Sequence, residues 1–272
     1  MLWEIAFKDF EPVLALLSVI TAPTLFYNPT KCINCGECAE ICNCHNIKKG
    51  VHLFNRENCT KCGKCVDVCL GNALILYGEE VSADAITKKL IEDKIFFDES
   101  DGGVTLSGGE PLLQADFSAE ILKNLKENGI NTAVDTCGFA KKEDIDKVMP
   151  YTDTFLYDLK AINPEVHKFC TGVTNEIILE NLKYIDSFNK PIEIRIPYIP
   201  TMNDSEMESI AKFLTEIKNV KKIKILPYHS FGASKYEYIG ESYDLKLPSP
   251  SEDEIRATAE LFKKYGLTAI KG

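Results

Sequence analysis

The chain has 272 residues, 45% of them hydrophobic and 26% charged, the balance of a soluble globular protein with one large core or a core plus a small satellite. A formal net charge of −10, with no Lys/Arg cluster to reverse it, argues against a nucleic-acid-binding surface. Of eleven cysteines, nine lie between Cys32 and Cys69; that odd total and dense spacing read as metal ligation in a reducing, cytoplasmic compartment, not as a disulfide framework.

Residues 1–30 carry the least pattern. Residues 2–7 read as a strand and 13–20 as a helix or a strand. The apolar run 13–26 is broken by Pro23 and falls short of the roughly 20 residues a membrane helix needs. Its flank holds Glu4, Asp9 and Glu11, the wrong charge for a secretory signal, so no membrane association is expected. Asn28-Pro29 closes the segment as a turn.

Next comes Cys32-x2-Cys35-x2-Cys38-x3-Cys42, and then the same spacing again in Cys59-x2-Cys62-x2-Cys65-x3-Cys69. This is the bacterial ferredoxin spacing, in which three cysteines hold one 4Fe–4S cluster and the fourth reaches to the other. On that rule Cys32, Cys35, Cys38 and Cys69 hold one cluster, and Cys59, Cys62, Cys65 and Cys42 the second. Gly36 and Gly63 stand at matching places, where a loop around a cluster needs room or a positive φ. The proline usual after the fourth cysteine is absent, Asn43 and Leu70 standing there. Zinc fits poorly, because zinc sites pair cysteines as two separate C-x2-C units. Cys44 is left over as a spare buried thiol or a further ligand.

From Ser82 the pattern becomes that of alternating helices and strands. Ser82 caps a helix with Ile86, Leu90 and Ile91 on its apolar face. The stretch V-T-L-S-G-G-E-P, residues 104–111, is a short buried strand whose paired glycines open the backbone before a carboxylate. Asp116 is expected to cap a helix with the stripe Phe117, Ile121, Leu122 and Leu125, stopped by Gly129. Further strands are expected near 130–134, 154–157, 192–196, 223–226 and 267–270, with helices over 144–148, 175–188, 205–217 and 252–265. The alternation predicts an α/β fold with a parallel sheet, as a partial six-stranded barrel or an open doubly wound sheet, the barrel being favoured.

In parallel α/β folds the ligand sits at the carboxyl ends of the strands. Here those ends carry Gly108, Gly109 and Glu110; Asp135, Thr136, Cys137 and Gly138; Asp158 and Lys160; Arg195; and His229. Each has a plain alternative: a capped turn at Glu110 or Asp135, a surface ion pair of Asp158 with Lys160, a loop histidine at His229. Together they suit a zwitterionic ligand, with Glu110 accepting from an ammonium group and Lys160 or Arg195 pairing with a carboxylate. Asp135 and Asp158 would orient hydroxyls or a monovalent cation. There is no Ser-His-acid triad and no phosphate loop.

From about Asn28 to the C-terminus the sequence resembles the activating enzymes of glycyl-radical enzymes, in the radical S-adenosylmethionine superfamily. The resemblance rests on the cysteine insert 32–69, then G-G-V-T-L-S-G-G-E-P, D-T-C-G, D-L-K, H-K-F-C-T-G-V, R-I-P and L-P-Y-H in that order. It implies a partial (β/α)6 barrel over residues 79–272, an inserted ferredoxin-like domain with two 4Fe–4S clusters over 31–78, and a degenerate barrel segment over 1–30. It also implies that S-adenosylmethionine is cleaved reductively, and that the resulting radical takes hydrogen from a glycine of a partner enzyme, with a flavodoxin- or ferredoxin-type electron donor. Gly108, Gly109 and Glu110 would hold the methionine amino end; Asp158, Leu159, Lys160, Arg195 and His229 would line the rest of the cofactor site; Asp135 and Thr136 match the family's cofactor-binding turn.

One departure stands out. The family's third cluster needs C-x3-C-x2-C before the Asn-Pro turn, and the matching residues are Val19, Pro23 and Phe26, none of which ligates iron. Either residues 1 to about 27 are out of frame with the family sequence, or the chain is a non-catalytic dicluster protein for electron transfer or docking with a vestigial barrel.

Overall fold

The structure, a computed structural model, describes residues 14–19, 23–229, 238–240 and 247–272, the first stretch through its backbone. Its strands are β1 (Leu14–Val19), β2 (Thr24–Tyr27), β3 (His45–Lys48), β4 (Val51–Phe54), β5 (Leu74–Tyr77), β6 (Gly103–Gly108), β7 (Asn131–Thr136), β8 (Thr154–Asp158), β9 (Ile192–Tyr198), β10 (Val220–Pro227) and β11 (Ala269–Lys271). The helices are α1 (Glu37–Ile41), α2 (Lys64–Asp67), α3 (Ala83–Ile91), α4 (Lys94–Ser100), α5 (Ala115–Glu127), α6 (Lys142–Val148), α7 (Pro164–Thr171), α8 (Glu176–Asp186), α9 (Met207–Leu214) and α10 (Glu252–Lys264). Contacts divide the described residues into two units, one drawn from 1–21, 81–228 and 247–272, the other from 22–80 and 229–246.

The first unit is a seven-stranded sheet in the order β1-β6-β7-β8-β9-β10-β11, parallel at every junction. The strand order never reverses. Right-handed crossovers that always step the same way place their helices on one face of the sheet. Period-two alternation shows which side chains meet them. Ile192, Ile194, Ile196 and Tyr198 of β9 are all buried, as are Leu106, Val134, Tyr157, Ile223 and Ile225. They form one core with Ile121 and Leu125 of α5, Ile145 of α6, Leu182 and Ile185 of α8, Ile210 and Leu214 of α9 and Phe262 of α10. Among the described residues the other face lacks that cover, and it carries Ser107, Asp135, Asp158, Glu193, Arg195, Lys222 and Lys224, all half-buried, beside the buried Thr105 and Leu156.

The second unit is small. β2 pairs antiparallel with β5, and β3 with β4 through a turn at Lys49 and Gly50, both with positive φ. Its buried apolar core is Leu25 and Leu74 with the thiols of Cys38 and Cys65. Gly36 and Gly63, at φ 89° and 78°, each turn the chain into a one-turn helix that carries one of these two cysteines.

All six strands expected from residue 104 onward are present, and β1 makes a seventh. Within the run 13–20, Leu14–Val19 is a strand, while the strand expected at 2–7 lies outside the described residues. Ser82 caps α3 through a bond from Ala85 N at 3.2 Å. Asp116 does not cap α5; the helix begins at Ala115, and Asp116 sits in its first turn, favoured there by the helix dipole. By contacts, residues 23–30 and His229 group with the cysteine-rich unit.

Candidate functional site

The uncovered face of the sheet gathers its charges by register. Asp135 lies opposite Leu156, Leu156 opposite Glu193 and Glu193 opposite Lys222, while one step on Asp158 faces Arg195 and Arg195 faces Lys224. Arg195 reaches across β8, its Nη1 donating to Asp135 Oδ2 at 2.9 Å, the oxygen that also accepts from Ser107 Oγ at 2.9 Å. Its Nε lies 3.4 Å from Glu193 Oε1, which Lys224 Nζ approaches to 3.3 Å. Burial pushes the Asp135 carboxyl above its usual range; Arg195 offsets part of this, and Asp158 adds to it. Carboxylates and cations thus alternate over a half-buried surface, the complement of a ligand with both charges.

At the strand ends Glu110 is 9% exposed, and its carboxylate is a brace. Oε1 accepts from Thr136 Oγ1 at 2.7 Å and Leu112 N at 3.2 Å; Oε2 accepts from Cys137 N at 2.9 Å. The carboxylate therefore ties the turn after β6 to the turn after β7. The Cys137 thiol hydrogen-bonds the same carboxylate. A side chain at Gly109 would meet nothing within 4 Å, so the backbone beside it is open. Lys160 Nζ pairs with Asp158 Oδ2 at 2.9 Å, and Leu159 is buried, its N–H donating to Arg195 O at 2.9 Å. His229 is exposed, two residues past the end of β10, and belongs with the second unit.

Sequence reading missed several contributors. Glu193 was legible in I-E-I-R-I as the residue sharing a face with Arg195, and Lys222 and Lys224 in the same way from K-K-I-K-I. Buried Asn203 donates to Lys160 O at 2.8 Å and Pro197 O at 2.6 Å, and Glu206 accepts from Ile162 N and Asn163 N at 2.9 and 2.7 Å. These two side chains lock the loops that follow β8 and β9. No sequence signal marks them.

Burial, and then the Glu110 carboxylate, push the Cys137 thiol up to about 11, so the neutral form persists where an ordinary cysteine ionises. At pH 8 its alkylation by iodoacetamide is expected to run about two orders of magnitude slower than that of a free thiol, climbing with pH until the raised value is passed. Timed quenching and peptide mapping measure this. A rate equal to that of free cysteine would remove Cys137 from its buried place.

In the second unit the thiols fall into two groups. Cys32, Cys35, Cys38 and Cys69 line one pocket with Tyr27, Asn34, Gly36 and His52. Cys65 has Cys42, Cys59 and Cys62 as its charged neighbours, and burial first and these thiols second push it up to about 11. Cys44 donates to Asn58 O at 3.3 Å, and so has a structural partner.

A parallel sheet wound in one direction, with a charged face and braced strand-end turns, defines a ligand-binding α/β domain, here in one chain with a thiol-rich metal-type unit. Residues 57–214 match the family model of the Radical SAM superfamily, and residues 25–42 that of the 4Fe-4S binding domain. The chain is 36% identical over 257 residues to the choline trimethylamine-lyase activating enzyme of Oleidesulfovibrio alaskensis, covering 89% of this chain and 81% of that one. It is 41% identical over 246 residues to the trans-4-hydroxy-L-proline dehydratase activating enzyme of Clostridioides difficile, covering 88% and 82%. A solved domain of the pyruvate-formate lyase-activating enzyme of Bacteroides vulgatus superposes with a TM-score of 0.55 at 36% identity, over 63% of this chain and 99% of that domain. The chain belongs to the radical SAM superfamily and, within it, to the activating enzymes of glycyl-radical enzymes. No helix among the described residues is long and apolar enough to cross a membrane.

Proposed function

We propose that the charged face and the strand-end turns of the sheet bind S-adenosylmethionine, and that the cysteine-rich unit holds two 4Fe–4S clusters, in an activating enzyme for a glycyl-radical enzyme. The observation that carries the ligand assignment is the alternation of Asp135, Arg195, Glu193 and Lys224 on one half-buried face, continuous in register with Asp158. A methionine end bears an ammonium and a carboxylate. The Glu110 carboxylate suits the ammonium, and Lys160 or Arg195 suits the carboxylate. When bound, the cofactor supplies a sulfonium whose reduction starts the family's radical chemistry. The protein residues bind it, orient it and keep its polar groups paired. Gly108 and Gly109 would admit the ligand to the backbone, Asp135 and Thr136 hold the adjoining turn, and His229 would take part as the resemblance implies.

Two observations support the dicluster reading. The thiols divide as the crossed ferredoxin spacing divides them, and the unit's own apolar core is too small to hold some sixty residues without cross-links. A flavodoxin- or ferredoxin-type donor in a reducing cytoplasm is the electron source this reading calls for.

The family's third cluster does not fit. Val19, Pro23 and Phe26 offer no lone pair to iron, and no step is derived through that cluster. This misfit is what favours the second reading, a dicluster electron-transfer or docking protein that keeps the cofactor pocket without the cleavage. Anaerobic reconstitution is expected to load about eight irons per chain, and Cys62→Ala about four, with S-adenosylmethionine affinity by calorimetry the same in both. Loss of affinity together with iron would count against separate sites.

A further inference from the structure

Two buried histidines of the second unit have no part in the reading above. His45 of β3 and His52 of β4 are 4% and 6% exposed, on a hairpin whose turn is Lys49-Gly50. His45 Nδ1 lies 2.9 Å from His52 Nε2, and that same Nε2 lies 3.5 Å from Cys38 Sγ. Aromatic neighbours fix both rings: Phe54 stacks on His45 at 4.5 Å, and Tyr27 tilts against His52 at 4.4 Å. The outward nitrogens, His45 Nε2 and His52 Nδ1, are buried without a partner.

A cysteine that ligates iron is a thiolate and only accepts. Among the described residues the side-chain nitrogen within hydrogen-bond reach of Cys38 Sγ is His52 Nε2, so in the loaded protein that nitrogen would carry the hydrogen, and the lone pair of His45 Nδ1 would face the same N–H. We propose that His52 is a positioning residue for the cluster held by Cys32, Cys35, Cys38 and Cys69, donating from Nε2 to Cys38 Sγ and raising that cluster's reduction potential, with His45 fixing the tautomer. This rests on the two-cluster reading. A donor to a ligand sulfur draws off negative charge and so stabilises the reduced cluster, the more so in a buried site. Cys65, the matching residue of the second group, is not part of this contact.

The rival use of the same atoms is a mononuclear metal on Cys38, His45 and His52, whose donor atoms lie within 4.8 Å of one another. The two nitrogens argue against it: at 2.9 Å they stand at hydrogen-bond distance, whereas two imidazoles on one tetrahedral zinc stand about 3.3 Å apart.

The test uses the full chain, reconstituted anaerobically with iron and sulfide and titrated redox-wise under electron paramagnetic resonance. His52→Phe keeps the ring packing and removes the donor. It should load as much iron as the unsubstituted chain, with the reduced fraction of one cluster about tenfold lower at fixed potential, ~59 mV for one electron, and the other cluster unmoved. His52→Gln, whose amide N–H takes nearly the place of Nε2, should restore most of that shift. If His52→Phe loads poorly, His52→Gln beside His52→Met, both unbranched, carries the same comparison. Potentials indifferent to the donor, equal movement of both clusters, or stoichiometric zinc lost with His52 would each overturn the proposal alone. An unsubstituted chain that takes up no iron–sulfur would sink the dicluster reading first and this inference with it.

Discussion

Changing Val19, Pro23 and Phe26 together to cysteine is expected to raise the iron content from about eight to about twelve atoms per chain, and to create a dithionite-dependent release of 5′-deoxyadenosine that is not expected of the unsubstituted chain. The backbone makes this more than an exercise in spacing. β1 runs parallel to β6 over its whole length and sets Val19 opposite Gly108, so position 19 stands in the same strand-end row as Ser107, Gly108 and Gly109. At position 19 the strand is present; what is absent is a donor atom. Neither an aliphatic side chain, nor a pyrrolidine ring, nor a phenyl ring supplies one. The substitution has a local cost at Phe26, whose ring meets Tyr77 edge-on at 4.5 Å, a contact worth about 1 kcal/mol beyond its buried area. That cost falls on the β2–β5 pair and leaves the large sheet alone. Iron analysis, and chromatography of the nucleoside product, give independent readings. Twelve irons or product formation in the unsubstituted chain would show that other residues complete the set. A triple variant that stays at eight would show that the pocket is vestigial in more than its ligands.

How much could be read beforehand depended on what kind of signal each element carries. The β9 alternation of isoleucines with Glu193 and Arg195 states both its strand and its faces, because period two is visible in one dimension. The partners of Arg195 are not visible there: they depend on register across β8, which no local pattern encodes. β1 was undecided because a continuous apolar run has no period and does not tell strand from helix. The β3–β4 hairpin escaped notice because its inward residues are His45 and His52, which hydropathy counts as polar. α7 escaped because few of its residues are buried, although Asn163 caps it through Glu165 N at 2.9 Å and Gly172 ends it at φ 85°. Asp116 lies two residues inside the cap position expected for it, since aspartate is favoured both as a cap and in the first turn. Glu110 was read by chemistry alone. Its brace to Thr136 and Cys137 needed the turns in space.

Gly138→Ala should destabilise the protein by about 3 kcal/mol, from the left-handed backbone and the overpacking it forces. The φ of Gly138 is 72°, and a Cβ there would lie 1.7 Å from Tyr157 Oη and 2.3 Å from its Cζ. Tyr157 cannot yield, being fully buried and donating its hydroxyl to Ile178 O at 2.6 Å. Nor can the glycine withdraw, since its carbonyl accepts from Asn181 Nδ2 at 2.8 Å and its N–H donates to Thr136 Oγ1 at 2.9 Å. Through Thr136 the displacement reaches Glu110, so the same variant should weaken S-adenosylmethionine binding as well as lower the unfolding midpoint. Tyr157→Phe separates the causes. Alone it costs about 1–2 kcal/mol, for the lost bond to a buried carbonyl. Combined with Gly138→Ala it removes the worst contact but leaves Cζ in the way, so the double variant should be less destabilised than the two single effects predict together. Denaturant unfolding of the four proteins measures that coupling. Strict additivity would mean that the methyl group meets something other than the phenol, and a Gly138→Ala protein within 0.5 kcal/mol of the parent, the range of inert surface changes, would mean that the turn after β7 is free to move. In that event the brace from Glu110 could not hold a ligand's geometry either.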